Sequence, residues 1–477
     1  MSIETLSTQG TPADRRPWLD LRAVWRWHFY AGLFCIPFIV WLSLTGALYL
    51  FKPQVEALID RSYDTLAVTG PRASVADQVL AAVAAVPGGV LNAYELPAGP
   101  SAAARVIVGR GTEQFRVYVH PQTLAILKMV NEDDRLMRII FRLHGELMMG
   151  DKGSYIVELA ASWAIVMILS GLYLWWPRQA QGLAGIVYPR LGAGGRTFWR
   201  DLHAVVGLWV SFFALFLLLS GLPWSKNWGG YFKEMRQITG TAVPKQDWPV
   251  GRSDELAARL ATNQAVAAGA APMADEHAAH HHHGGGMPAM GAPAAVDYTP
   301  LDTLVATVAP LNLAAPVLIS PPRQPGGPWT AKSDAQNRPL RTNLTLSADG
   351  QVLTRQDFNQ RHWLDQVVGI GVAAHEGHLF GWLNQALGVF TAISLVTLAV
   401  SSVVLWLRRR PADLLGAPPA TRASQQPARS PWLFALLLVA LGVFLPLLGG
   451  SLIVVVLAER LVLRRVPAAR TWLGLAA

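Results

Sequence analysis

HFYAGLFCIPFIVWLSLTGALYL, residues 28–50, carries no charged residue after the histidine that opens it. At 1.5 Å rise per residue it is long enough to cross a hydrocarbon core of roughly 30 Å as a helix. A second stretch, HAVVGLWVSFFALFLLLSG (203–221), repeats its layout. In each, the His is followed four residues on by Gly (Gly32, Gly207) and 17 residues on by a hydroxyl–Gly pair, Thr45-Gly46 and Ser220-Gly221. His144 and His375 form a second matched pair. Each has Gly six residues on (Gly150, Gly381) and Ser 26 residues on (Ser170, Ser401), followed by Leu174-Trp175 and Leu405-Trp406. The chain is therefore a duplicated membrane unit with a His at each mouth.

The bulk composition agrees. Of 477 residues, 52% are hydrophobic and only 15% charged, and mean hydropathy is +0.30. The first apolar stretch starts late and lacks a small-residue cleavage site, so it reads as a retained span rather than a signal peptide. Net charge is +9, and the arginines sort by side. Arg15, Arg16, Arg22 and Arg26 precede span 1. Arg178, Arg190, Arg196 and Arg200 lie between spans 2 and 3, and Arg408, Arg409, Arg410, Arg422 and Arg429 follow span 4. Short Arg-rich loops stay in the cytoplasm, so the basic balance is a topology signal and not a nucleic-acid footprint. The tail breaks the rule: Arg460, Arg464, Arg465 and Arg470 would lie outside if segment 5 crosses once, whereas Pro446 and Gly449-Gly450 would allow a re-entrant pair. The single cysteine, Cys35, excludes disulfides and Cys-based clusters, and reads as an apolar filler.

These signals predict a membrane all-α bundle of four core transmembrane helices plus a C-terminal apolar segment, with two periplasmic α+β domains. A cytoplasmic N-terminus (1–28) leads into helix 1 (29–51), a first outward domain (52–143), and helix 2 with a periplasmic extension (144–176). A cytoplasmic loop (177–203) and helix 3 (204–222) follow. Then come a periplasmic linker (223–298), a second outward domain (299–374), and helix 4 with its extension (375–407). A cytoplasmic linker (408–430), segment 5 (431–460) and a tail (461–477) complete the chain. Each outward domain reads as one helix on a small antiparallel sheet: ADQVLAAVAAVPGG (76–89) before three strand-like runs, and PLDTLVATVAPL (300–311) before another set. Both end in a hairpin, turning at HPQT (120–123) and ADG (348–350). Asp134 and Asp365 precede His144 and His375 by ten residues each. The stretch of about 240–298 is rich in Ala, Gly, Pro, Met and His and reads as irregular.

Depth divides the four histidines. His28 and His203 open helices from the inner side; His144 and His375 lie upstream of helices entering from outside. Each side thus receives one His from each unit. A six-coordinate b-type haem takes two axial nitrogens on opposite faces of its ring, so the pattern predicts two b-type haems, one between His28 and His203 and one between His144 and His375. A lone His at such a depth is also compatible with a hydrogen-bonded interfacial side chain; four in symmetric register favour ligands. His378 is an alternative to His375 at the outer position, although Gly381 and Ser401 align only from His375. Gly32 and Gly207, one turn from their His, would give a flat macrocycle room, or would serve ordinary helix packing.

LHGELMMGDKGSY with SGLYLWWPR, RDLHAVVGLW, WHFYAGL…LTGALYLF and HEGHLFG resemble the PepSY-associated transmembrane-helix proteins, also called iron-regulated membrane proteins, some of which are ferric-siderophore reductases. The resemblance covers nearly all of 20–410, and the outward domains are similar to PepSY domains. It implies a bacterial inner-membrane protein whose two b-type haems pass electrons outward to a periplasmic ferric chelate. The haem-binding histidines of that family fall on His28, His144, His203 and His375. This sequence departs from the pattern at His120, where the PepSY hairpin usually has Asp before Pro, and in an insertion holding Met273, His277, His280, His281, His282, His283, Met287 and Met290. Imidazoles and thioethers in that number suit copper, nickel or zinc capture; low-complexity linker is the other reading.

Trp18, Trp25, Trp27, Trp175, Trp176, Trp199, Trp224, Trp228 and Trp382 read as an aromatic belt at the lipid interface; Trp224, Trp228, Tyr231 and Phe232 could also line an outer substrate site. No Rossmann fingerprint, P-loop, nucleophile elbow or HExxH is present. Electrons would then come from a quinol, a soluble reductant or a partner protein. The expected function is reduction of a periplasmic ferric-siderophore or related complex. A haem-free metal-handling or transport protein and a PepSY-based interaction or peptidase-regulating protein are the rival readings.

Overall fold

The computed structural model describes residues 21–177, 182–241, 250–269, 297–324, 326–418 and 431–475. The His/Met-rich insertion, from Met273 to Met290, lies outside them. In chain order, helix α1 (Leu21–Tyr49), α2 (Lys52–Asp64) and α3 (Val75–Ala84) precede strands β1 (Val90–Glu95), β2 (Ala104–Arg110), β3 (Glu113–Val119) and β4 (Ile126–Asn131). Helices α4 (Leu136–Glu146), α5 (Asp151–Trp175), α6 (Gly195–Gly221), α7 (Lys226–Ile238), α8 (Gly251–Gly269) and α9 (Pro300–Val308) follow. Then come β5 (Val317–Ser320), β6 (Trp329–Ser333), β7 (Thr342–Leu346) and β8 (Val352–Asp357), and finally α10 (Trp363–His375), α11 (Trp382–Arg409), α12 (Pro431–Phe444), α13 (Pro446–Ala458) and α14 (Pro467–Leu473). Among the described residues, five apolar helical stretches are long enough to cross a membrane: α1, α5, Gly195–Trp224, α11 and Pro446–Leu463.

The chain divides into two compact units. One comprises residues 1–40, 159–215 and 394–477; the other comprises 41–158 and 216–393. The second contains both α+β domains, and they are not separate. Their strands form one eight-stranded antiparallel sheet in the order β4-β3-β2-β1-β5-β6-β7-β8, joined where Tyr94 pairs with Ile319 and Glu95 with Leu318. The two halves match in detail. Each has a bulge just before its last hairpin, at Tyr118/Val119 and Thr345/Leu346. The hairpins turn at the sites expected from HPQT and ADG, the second through Gly350 at φ +88°. His120 does the work of the usual Asp there: its Nδ1 accepts from the N–H groups of Gln122 and Thr123, at 3.2 Å each.

Strand alternation sends Leu91, Val106, Val108, Val117 and Val119, with Ile319, Ala331, Leu344 and Leu346, to one face. There they bury Val79 and Ala82 of α3 and Leu301 and Leu304 of α9 in a single core. Asp302 of α9 closes the seam by accepting from Val75 N at 2.6 Å at the start of α3.

The opposite face of the first half is charged yet covered. Arg105 bonds Asp64 of α2 at 2.6 Å, and the Tyr118 hydroxyl bonds Asp60 at 2.9 Å. Helix α8 also packs on β1, β2 and β3. This corrects the reading of 240–298 as irregular, because 251–269 is helical. Its charges look solvated in sequence but meet partners more than a hundred residues away. Arg259 donates to Asp133 at 3.0 and 3.1 Å, Arg252 bonds Asp133, and Glu255 bonds Arg138 of α4.

A second correction concerns helices 2 and 4. The outer histidines do not open long continuous helices. His144 lies in the last turn of α4 and His375 ends α10; new helices begin at Asp151 and Trp382. The breaks use left-handed backbone, at Leu147 (φ +50°), Met148 (φ +58°) and Gly150 (φ +62°) in the first and at Gly377 (φ +80°) and Gly381 (φ +69°) in the second. The glycine six residues after each His is thus a helix break.

Segment 5 is a hairpin. Leu445, before Pro446, takes φ −120° and ψ 84°, which stops α12, and Pro446 starts α13. Gly442 and Gly449 meet backbone to backbone; a Cβ on Gly449 would lie 2.7 Å from the Gly442 carbonyl oxygen. At 14 residues, α12 is about 21 Å long, short of a full crossing. The returning tail bonds the Arg26 end of α1: Arg26 donates to Gly474 O at 2.7 Å and Tyr30 to Leu473 O at 2.5 Å. The arginines that break the charge rule for a single crossing therefore come back to the Arg26 end. Topology reporters fused to the N-terminus and after Ala477 should mark the same side of the membrane. Gly449→Val should drive the hairpin apart and lower stability by about 1–3 kcal/mol, read as a lower melting temperature in detergent. Reporters on opposite sides would rule out the hairpin.

Candidate metal centres

Each of the four histidines is held by a hydroxyl on a neighbouring helix. His28 Nδ1 lies 3.2 Å from Ser170 Oγ and 3.0 Å from Met167 O. His203 Nδ1 lies 3.2 Å from Ser401 Oγ. His144 Nδ1 lies 3.0 Å from Thr45 Oγ1, and His375 Nδ1 lies 2.9 Å from Ser220 Oγ. Each hydroxyl has one proton, and each donates it to a carbonyl one turn back. Ser170 donates to Met167 O at 3.0 Å, Ser401 to Leu398 O at 3.0 Å, Thr45 to Trp41 O at 2.8 Å and Ser220 to Phe216 O at 2.7 Å. With that proton committed, the oxygen can only accept. Nδ1 therefore carries the imidazole proton at all four sites, and Nε2 is left as a bare lone pair. No described residue hydrogen-bonds any of the four Nε2 atoms. Fixing one ring nitrogen so that the other can bind metal is the usual outer-shell arrangement around a ligating His.

The hydroxyl–Gly pairs now have a reason. A Cβ at Gly46 would stand 3.1 Å from His144 Cε1, and one at Gly221 would stand 3.5 Å from His375 Cε1. Gly171, next to Ser170, is tighter still, at 2.9 Å from His28 Cε1. The hydroxyl grips the ring and the adjacent glycine gives it room. The fourth site departs from this, since Ser402 follows Ser401. Gly32 and Gly207 serve a different end. They face Met167 Sδ and Leu398 Cδ2 at 3.9 and 3.6 Å, ordinary helix packing.

The histidines also pair. The rings of His28 and His203 are centred 6.3 Å apart at 78°, and those of His144 and His375 are centred 6.3 Å apart at 89°. A metal–imidazole bond is about 2 Å and the ring centre lies about 1.1 Å behind the bonding nitrogen, so two imidazoles trans on one metal are centred about 6 Å apart. Both pairs fit that spacing. Among the described residues no group of three or more His, Cys, Asp or Glu could hold a metal. A metal between either pair therefore needs its remaining ligands from elsewhere, which a macrocycle supplies and a protein-caged zinc site does not.

His378 is not in a pair. Its Nε2 is buried without a partner, and the ring facing His144 is His375. Trp228 is spent on packing: it stacks on Phe232 at 5.2 Å, and its backbone N–H donates to Glu158 at 3.1 Å. Asp365 accepts from the buried Arg236 at 2.7 Å. In the other repeat Asp133, not Asp134, plays the bridging part. The hydroxyl spacings were visible in sequence, but their role was not, because each hydroxyl acts on a ring 99 to 198 residues away.

The fold and the two imidazole pairs define a multi-pass membrane protein with a sheet-bearing domain and paired histidines on its duplicated helices. The family model described as the PepSY-associated TM region matches residues 25–409, and the chain belongs to that family. No curated protein sequence matches it significantly.

Burial lowers the pKa of His144 from its ordinary 6.5 to about 4. Burial, and then the charge of His144, lower His375 to about 3. Both are neutral when folded and take protons more readily when unfolded. Their contribution to stability is complete above pH 6.5 and is lost progressively as pH falls toward those folded values. In protein prepared free of bound metal, stability at pH 5 should be lower than at pH 7 by about 2 kcal/mol per His. Chemical unfolding at the two pH values measures this, and His144→Leu with His375→Leu should flatten the dependence.

Proposed function

We propose that this protein is a di-haem inner-membrane reductase, passing electrons from the cytoplasmic side or the quinol pool to a periplasmic ferric-siderophore or related metal complex. The observation that carries this reading is the 6.3 Å spacing of two imidazole pairs whose four Nδ1 atoms are committed to hydroxyls. Family membership supports it. His28 and His203 would hold one b-type haem, and His144 and His375 the other. A haem held by these histidines would supply one-electron transfer.

The chain's own part is orientation and insulation. Thr45, Ser170, Ser220 and Ser401 fix the tautomer and angle of each ring before any ligand arrives, which removes reorganisation from the binding step. The N-terminus is assigned to the cytoplasm and the sheet to the periplasm by the arginine distribution. On that assignment the His144/His375 pair belongs to the acceptor side.

Purified protein should show low-spin b-type bands with about two haems per chain. His28→Ala and His203→Ala should each remove the same haem, and His144→Ala and His375→Ala the other. Pyridine haemochrome analysis and reductive titration of the four variants measure this, and absence of a Soret band in fully loaded cells would sink the reading.

A further inference from the structure

Most buried arginines in the sheet-bearing unit have a carboxylate within hydrogen-bond reach, although the Nε atoms of Arg105 and Arg138 are also buried without a partner. Arg236 donates to both oxygens of Asp365, at 2.7 and 3.1 Å, and to Thr241 O. Arg105, Arg116, Arg252 and Arg259 all donate to carboxylates. Arg338 departs from this. Its side chain is only 13% exposed, yet the nearest carboxylate, Glu376, stops at 4.0 Å, beyond hydrogen-bond reach. Its guanidinium lies 5.1 Å from the centre of the Trp224 ring, and its Nε is buried without a partner.

The two residues before it and a residue of the loop bonded to them are in the same condition. Gln336 Nε2, Asn337 Oδ1 and His378 Nε2 are also buried and unpartnered. The two loops that carry them are tied together by Asn337 Nδ2 donating to Leu379 O at 3.3 Å and by the Arg338–Glu376 pair. An unsatisfied buried polar atom costs about 1–3 kcal/mol, more when charged. Four on two loops tied to one another are kept where something else satisfies them. Three of the four are nitrogens able to donate, so the missing group is an acceptor, and beside a guanidinium it is an anion. Planar donors of this kind suit a carboxylate.

The turn that carries Arg338 packs on α10, the helix that ends in His375. Glu376 follows His375 directly. Trp224, under Arg338, is one turn beyond Ser220, whose hydroxyl holds the His375 ring. A haem is apolar over its macrocycle and carries two carboxylates along one edge; near hydrocarbon those carboxylates need donors. We propose that Arg338, with Gln336 and His378 beside it, is the binding site for the propionate carboxylates of the haem held by His144 and His375. The assignment rests on the haem reading of that pair.

The test uses the full-length protein in detergent, loaded either with haem or with haem dimethyl ester, whose propionates are blocked. Loss of the more weakly held haem to excess apomyoglobin is followed in the Soret band. With haem, Arg338→Gln should speed loss from the His144/His375 site about tenfold or more. It should also move that haem's midpoint potential negative, because a nearby cation is gone. Arg338→Lys should restore most of both effects, and the His28/His203 haem should be unchanged, which controls for folding. With the diester, wild type and Arg338→Gln should behave alike. An equal effect on both pigments would make Arg338 a structural support or the seat of a carboxylate from an incoming chelate, and would overturn the assignment. So would a di-haem protein insensitive to Arg338→Gln. A wild type that takes up no haem overturns the functional reading as well.

Discussion

A buried imidazole N–H must find an acceptor, and here each finds one on a hydroxyl that has already spent its own proton. Much of the architecture follows from that constraint. It requires Thr45, Ser170, Ser220 and Ser401 one helix away from the rings they hold. It requires glycine beside three of those hydroxyls, because a hydrogen bond of about 3 Å brings the ring against the neighbouring backbone. Within a repeat these bonds join the first long helix to the last one and to the short helix before it, while the rings they orient face the other repeat. Orientation is internal to each repeat and pairing is shared between them.

Much of this was legible in the chain. Apolar length located the spans, and the doubled His–Gly–hydroxyl spacing located the four rings and which of them face each other. The hairpin turns at His120 and Asp349 stand where turn chemistry put them. What periodicity could not reach were relations between distant residues. Helix α8 lies in a stretch whose composition suggests a linker; its arginines are neutralised by Asp133 and Glu255, a pattern that only the folded chain reveals. The helix breaks at Gly150 and Gly381 were marked by their glycines, but apolar content on both sides hid the change of direction.

The union of the two α+β domains was likewise invisible. Each half has a complete helix-and-sheet signal, and nothing in β1 or β5 announces that they will pair. Tyr94 and Ile319 are both buried, aliphatic or aromatic, and equally suited to many neighbours. The decision is made by the shared core under α3 and α9, where burying both helices against one sheet removes more apolar surface from water than two small sheets could.

That joint has a consequence for life outside the membrane. Two separate four-stranded sheets would present four open edges, each a template for pairing with another chain. Fusion through β1 and β5 leaves two, β4 and β8. Both of these carry charge, Lys128 on one and Arg355 with Asp357 on the other. The duplication that brings the histidines together thus also halves the number of sheet edges open to another chain.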